Sequence, residues 1–215
     1  MFAVLRRQTP NINMVIAVDI CAVILAGGLS RRMGQDKLFL DVGGVPLFER
    51  VLRPIQQLFT FVMVIANQHQ NFKSYDLPIY HDIYPGSALG GIHSALHHAT
   101  TGWVFVTAAD LPFVNMDVAR YLLSFIDDDC DVVVPSSDKG FEPLFACYSK
   151  RCLPVMEQAL KCRQFKIIDV LANLRVCEVP ITQLVDIRDI DTAFINLNRV
   201  EDVRHSKQLL ACLDG

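Results

Sequence analysis

Several absences narrow the class of this protein before any motif is read. No apolar run among its 215 residues reaches the ~18–20 residues that a membrane-spanning helix requires. Proline, glycine and like charges do not gather into a linker, and no segment repeats. No C-x-x-C pair occurs, and the cysteines are odd in number: Cys21, Cys130, Cys147, Cys152, Cys162, Cys177 and Cys212. That pattern fits scattered core thiols in a reducing cytoplasm better than a disulfide framework or a zinc site, so a cytoplasmic location is expected. The net charge of −3 supplies no broad basic face, which argues against nucleic acid as a partner. With 52% hydrophobic and 20% charged residues, the chain can bury a core without covalent staples.

The N-terminus carries Arg6-Arg7 and an apolar run from Met14, as a secretory or twin-arginine signal would. Asp19 interrupts that run, and cleavage after it would remove the first strand. Residues 1–13 therefore read as a flexible extension with Met14 as an alternative start. The domain boundary falls after residue 18, leaving 19–215 as one domain.

What is present is alternation. Apolar runs at 20–26, 61–66, 103–109 and 131–134 are nearly continuous, as expected of parallel strands covered on both faces. Weaker strand candidates are Phe145–Tyr148 and Val176–Val179. Helical spacing occurs at 46–59, where Pro54 is expected to introduce a kink, and at 91–99, 116–126 and 199–212. Asn198-Arg199-Val200-Glu201 reads as a capping box for the last of these. The expected fold is an α/β three-layer sandwich with a Rossmann-like, mostly parallel sheet. Ligands of such sheets bind beyond the carboxyl ends of the strands, which directs attention to Gly27-Gly28, Asn67 and Asp110-Leu111-Pro112.

The first of these strand exits carries the most chemistry. Ile20–Ile24 leads into Leu25-Ala26-Gly27-Gly28-Leu29-Ser30-Arg31-Arg32-Met33-Gly34-Gln35-Asp36-Lys37. Glycines let backbone N–H groups approach phosphate oxygens, and Arg31, Arg32 and Lys37 add the neutralising charge. A P-loop is excluded, since five residues separate Gly28 from Gly34 where that motif has four, and Gln35 follows Gly34. The dinucleotide fingerprint G-x-G-x-x-G is also absent. A tight turn bearing solvated basic residues is the plain alternative.

L-A-G-G-x-S-x-R-M-G-x-D-K resembles the signature loop of nucleotidyltransferases, and most closely that of the molybdenum cofactor guanylyltransferases (the molybdopterin–guanine dinucleotide synthesis protein A family). The resemblance continues through Gly43-Gly44 with Pro46-Leu47, Ala66–Gln70, Asp82 with Tyr84-Pro85-Gly86 and Leu89-Gly90-Gly91, Ala109–Pro112 and Ile195–Asn198. It spans roughly residues 20–212 and implies a sheet of the nucleotide-diphospho-sugar transferase type.

The resemblance also implies a reaction: GMP passes from GTP to molybdenum-molybdopterin with Mg²⁺, releasing pyrophosphate. Lys37, Arg31 and Arg32 would stabilise the triphosphate, and Asp110 would hold the metal. Leu25, Ala26, Gly27 and Gly28 would present backbone to the nucleotide, and Asp82 would contact its base or sugar. Asn196 and Asn198 would face the pterin. Transient contact with proteins that make or accept the cofactor is implied too. Where the family commonly has a functional asparagine, this chain has Ile65, two residues before Asn67. A CTP-using or sugar-phosphate relative is the alternative, and a non-catalytic nucleotide-binding module a third reading. Gly27 favours GTP, because the cytidylyl relatives resemble A-A-G here and glycine leaves more room for a purine edge. Two further features were weighed. His93 and His97 are expected on an exposed helix face, and Glu142-Pro143-Leu144 lies where the acceptor would approach.

Overall fold

The computed structural model describes residues 4–5, 19–27, 37–184, 187, 190 and 192–197. Nine strands form one sheet: β1 (Val4–Leu5), β2 (Ile20–Leu25), β3 (Val62–Ile65), β4 (Ile79–Tyr80), β5 (Trp103–Ala108), β6 (Val132–Ser137), β7 (Gly140–Phe141), β8 (Phe145–Ser149) and β9 (Val176–Pro180). The order is β1-β9-β6-β8-β5-β2-β3-β4, with β7 beside β6. Every pairing is parallel except those of β8 with β5 and β6, and of β7 with β6.

The helices are α1 (Leu47–Leu58), α2 (Ala88–His98), α3 (Met116–Leu123), α4 (Leu153–Lys161) and α5 (Ile167–Leu171). They divide between the two faces of the sheet. Ala22 and Ile24 of β2, with Phe105 of β5, join a core that includes Phe48 and Ile55 of α1 and Leu122 of α3. Cys21 and Val23, with Val104 and Val106, join a second core with Ile92 of α2, Met156 of α4 and Val170 of α5. Alternate side chains of one strand thus feed two apolar layers, which is why these runs show no polar alternation. The three-layer architecture agrees with the sequence reading.

Differences from expectation have local causes. α2 begins at Ala88, because the Ser87 hydroxyl accepts from the Gly90 N–H (3.0 Å) and caps it three residues before the expected start. α4 has Pro154 in its first turn, where the missing N–H costs nothing. The N-terminal extension is not wholly separate from the domain, since Val4 and Leu5 pair in parallel with Val176 and Cys177 at the sheet edge. The expected helix over 199–212 and its capping box lie outside the described residues. Five of the six described cysteines are buried and Cys162 is exposed.

Candidate functional site

Strands β2, β3 and β5 end together, and their exits are tied by backbone bonds. The Ala26 N–H donates to Ile65 O (2.9 Å), and the Ala109 N–H donates to Leu25 O (3.0 Å). Gly27 follows as an exposed residue, and a Cβ built on it meets no described atom within 4 Å. Packing among the described residues therefore does not demand glycine there. Gly28, Arg31 and Arg32 lie outside the described residues.

The chain re-enters at Lys37–Phe39, a single 3-10 turn anchored by buried Leu38. This turn aims Lys37 at the β5 exit. Its Nζ donates to Asp110 Oδ2 (2.8 Å) and to the Leu197 carbonyl (3.2 Å). The Leu197 N–H in turn donates to Asp110 O (3.0 Å). Residues far apart in sequence thus converge on Asp110, Lys37 on its carboxylate and Leu197 on its backbone carbonyl. The Lys37 and Asp110 side chains retain 20% and 24% exposure, enough for a ligand to reach both. Asn196, next to Leu197, is exposed on the same closing segment; Asn198 lies outside the described residues. Just downstream of Lys37, Gly43 and Gly44 adopt φ values of 65° and 81°, a left-handed turn suited to glycine. The Arg50 side chain donates to Val42 O and, at 2.9 Å, to Gly43 O, which fixes that turn to α1.

Asp82 stands at the exit of β4 and is half-buried. Its Oδ1 accepts from the Tyr84 N–H (3.0 Å) and from the Ser94 hydroxyl (3.1 Å). Its own N–H donates to Asn67 Oδ1 (3.3 Å). Burial pushes the Asp82 carboxyl above the usual aspartate value, opposed by the two donors from Ser94 and Tyr84. The loop carrying it lies directly on α2. A Cβ on Gly90 would fall 2.0 Å from the Tyr84 carbonyl oxygen, so this contact exists only because residue 90 has no side chain. At the adjacent turn, Gly91 packs against the Leu25 side chain, joining the start of α2 to the end of β2.

Sequence reasoning missed Ser94, and it named Tyr84 and Gly90 within the family resemblance without giving either a role. A usable signal existed: two consecutive glycines inside a helix mark a close backbone approach. The histidine pair needs correction. His97 is exposed, but His93 is buried at 3% exposure, with its ring edge-on to Tyr84 and its Nδ1 without a partner among the described residues. Burial lowers its pKa from the usual histidine value. α4 packs over this face of α2 and covers what the sequence left open. Glu142 is half-buried, with its carboxyl raised by desolvation. Leu144, two residues on, accepts from the Ala108 N–H (3.0 Å), so this segment borders the β5 exit. Among the described residues, no three His, Cys, Asp or Glu side chains converge as a metal cage, and no helix is long and apolar enough to cross a membrane.

Known proteins resemble this chain in sequence and fold. Residues 22–175 match the family described as the MobA-like NTP transferase domain. A probable molybdenum cofactor guanylyltransferase of Pelotomaculum thermopropionicum is 37% identical over 182 residues, covering 84% of this chain and 88% of that protein. The molybdenum cofactor guanylyltransferase of Vibrio atlanticus is 32% identical, covering 88% and 96% respectively. Among solved structures, the molybdopterin-guanine dinucleotide biosynthesis protein A of Archaeoglobus fulgidus superposes with a TM-score of 0.78 at 27% identity, covering 89% of this chain and 98% of that one.

Proposed function

This chain belongs to the MobA-like NTP transferase family, and on that premise we propose that it is a nucleotidyltransferase that moves GMP from GTP to molybdenum-molybdopterin. The observation that carries the reading is the Lys37–Asp110 pair at the joined exits of β2 and β5. In the reaction, an oxygen of the pterin's terminal phosphate bonds to the α-phosphorus of GTP. The bond from that phosphorus to the β-phosphate bridging oxygen breaks, and pyrophosphate leaves. Both reactants are anions, so positioned cations and N–H donors lower the barrier more than any proton transfer would.

Lys37 is the cation best placed to follow the triphosphate. Its ammonium already sits in an oxygen-lined position between Asp110 and Leu197 O, and phosphate oxygens offer it equivalent partners. Arg31 and Arg32, from the loop between β2 and Lys37, supply further charge. Leu25, Ala26, Gly27 and Gly28 present backbone to the nucleotide, and Gly27, with no side chain, leaves room for a purine edge. Asp82 accepts from the base or sugar.

Mg²⁺ fits the donor chemistry at Asp110. This hard cation is commonly held by one or two carboxylates, with phosphates and water completing its shell, so an all-protein cage is not needed. Asp110 already holds a cationic group in the structure. Bound there with GTP, Mg²⁺ would neutralise charge on the phosphates. Asn196 and Asn198 face the pterin, with Glu142 and Pro143 bordering the same exit. Mostly buried thiols suit a reducing cytoplasm, where the proteins that make and accept the cofactor dock transiently.

The reading is tested by supplying Mg²⁺, molybdopterin-loaded carrier and each nucleoside triphosphate in turn. Pyrophosphate release with GTP is expected. Release with CTP alone would overturn the donor assignment, and release with none would overturn the enzyme reading.

A further inference from the structure

Ser94 lies on the second turn of α2, outside the strand exits and the signature loop, and its side chain is fully buried at 0% exposure. Its hydroxyl is engaged on every side. It accepts from the Ile83 N–H at 2.8 Å. It has two acceptors within reach for its single proton: Asp82 Oδ1 at 3.1 Å and the Gly90 carbonyl at 2.9 Å. The bond to Gly90 is the ordinary back-bond of a helical serine. The carboxylate competes as a charged acceptor, and charge-assisted hydrogen bonds are roughly twice as strong as neutral ones. The proton therefore favours Asp82.

We propose that Ser94 is a positioning residue for nucleotide binding, acting through Asp82. The Tyr84 N–H and the Ser94 hydroxyl both meet Oδ1, which fixes the plane of the carboxylate. Asn67 holds the Asp82 backbone from the other side. The close approach of the Tyr84 carbonyl to Gly90 brings the loop within reach of Ser94. One oxygen of Asp82 is thus committed to the protein, and the carboxylate, half-buried at the exit of β4, keeps its second oxygen for a ligand donor. A ligand donor meeting a carboxylate of fixed orientation loses less freedom on binding than one meeting a mobile side chain.

This inference rests on the reading that Asp82 contacts the nucleotide, so the test separates the two in a double-mutant cycle. GTP dependence of guanylyl transfer is measured for the full chain and for Ser94→Ala, Asp82→Ala and the double variant, with thermal unfolding alongside. Ser94→Ala is expected to raise KM for GTP about fivefold to tenfold with kcat within about twofold, the loss of one charged hydrogen bond. In the Asp82→Ala background, the same substitution is expected to change KM less than about twofold, because its effect passes through the missing carboxylate. Ser94→Cys keeps the volume with a weaker donor and is expected to fall between serine and alanine.

An unchanged KM in Ser94→Ala, beside a raised KM in Asp82→Ala, overturns the role of Ser94 alone. Additive effects in the double variant do the same. An unchanged KM in Asp82→Ala overturns the nucleotide role of Asp82 and the inference with it.

Discussion

Two adjacent glycines on α2 should respond very differently to the same substitution. In Gly90→Ala the new methyl would lie 2.0 Å from the Tyr84 carbonyl oxygen and 3.1 Å from Asp82 Oδ1. An ordinary carbon–oxygen contact is at least ~3.2 Å, so the loop must retreat by about 1 Å. The obstacle is backbone, which cannot swing aside as a side-chain tip would. Such a retreat stretches the bonds from Ser94 to Ile83 and Asp82, each worth ~1 kcal/mol, and overpacking adds ~1–3 kcal/mol. Alanine returns up to ~1 kcal/mol of helix propensity. A net loss of about 2–4 kcal/mol is expected. In Gly91→Ala the nearest neighbours of the methyl all belong to the flexible Leu25 side chain, the first at 3.3 Å. A few tenths of an ångström of side-chain movement relieves it, and the change is expected within ~1 kcal/mol. Urea unfolding of the two variants measures the difference directly, and KM for GTP in Gly90→Ala should rise as Asp82 loses its support. Gly91→Ala as the more damaging substitution, or Gly90→Ala as stable as the parent, would refute the packing described for the 82–84 loop.

Three other perturbations test separate parts of the molecule. Lys37→Ala and Asp110→Ala should each lower kcat by about 100-fold or more, as loss of a positioned transition-state charge does, while circular dichroism shows the fold retained; an active Asp110 variant would remove it from the metal site. Asp131 accepts from Arg175 Nη2 (2.7 Å) and Arg151 Nε (2.8 Å), and these guanidinium bonds hold its carboxyl well below the usual carboxylate range. Its contribution is therefore full above the unfolded value near ~4 and is lost as pH falls toward the folded value. Asp131→Asn should cost about 1–3 kcal/mol at neutral pH, since the arginines are partly exposed, and should flatten the acid side of the stability profile. A chain beginning at Met14 loses, among the described residues, the two-residue edge strand β1 and should keep its turnover, with unfolding shifted by at most ~1–2 kcal/mol; aggregation of that chain would make the extension structural.

What the sequence disclosed follows from how completely each element is buried. β2 and β5 were legible because both of their faces meet helices, so their residues are continuously apolar. β4 and β7 have two residues each, too short for any period to register. α4 was hidden by Pro154 and by the charges on its outer face, and that omission produced a second error. Without α4, nothing covered His93, so an interior histidine read as a surface one. The site divides in the same way. Lys37, Asp82 and Asp110 were legible as charged residues at strand exits, because charge at such places carries ligand chemistry. Ser94 and the Leu197 carbonyl were not, because their roles come from tertiary proximity: a buried hydroxyl and a backbone oxygen leave no mark in the one-dimensional pattern.

The central claim is transfer of the α-phosphoryl group of GTP, with its nucleoside, to the pterin phosphate. Its most direct test follows label from GTP into the pterin product. With GTP labelled at the α-phosphorus, the pterin product should carry the label; with GTP labelled at the γ-phosphorus, all label should appear in pyrophosphate. Label reaching the pterin from the γ-position, or remaining in intact GTP in both cases, would contradict guanylyl transfer by this chain.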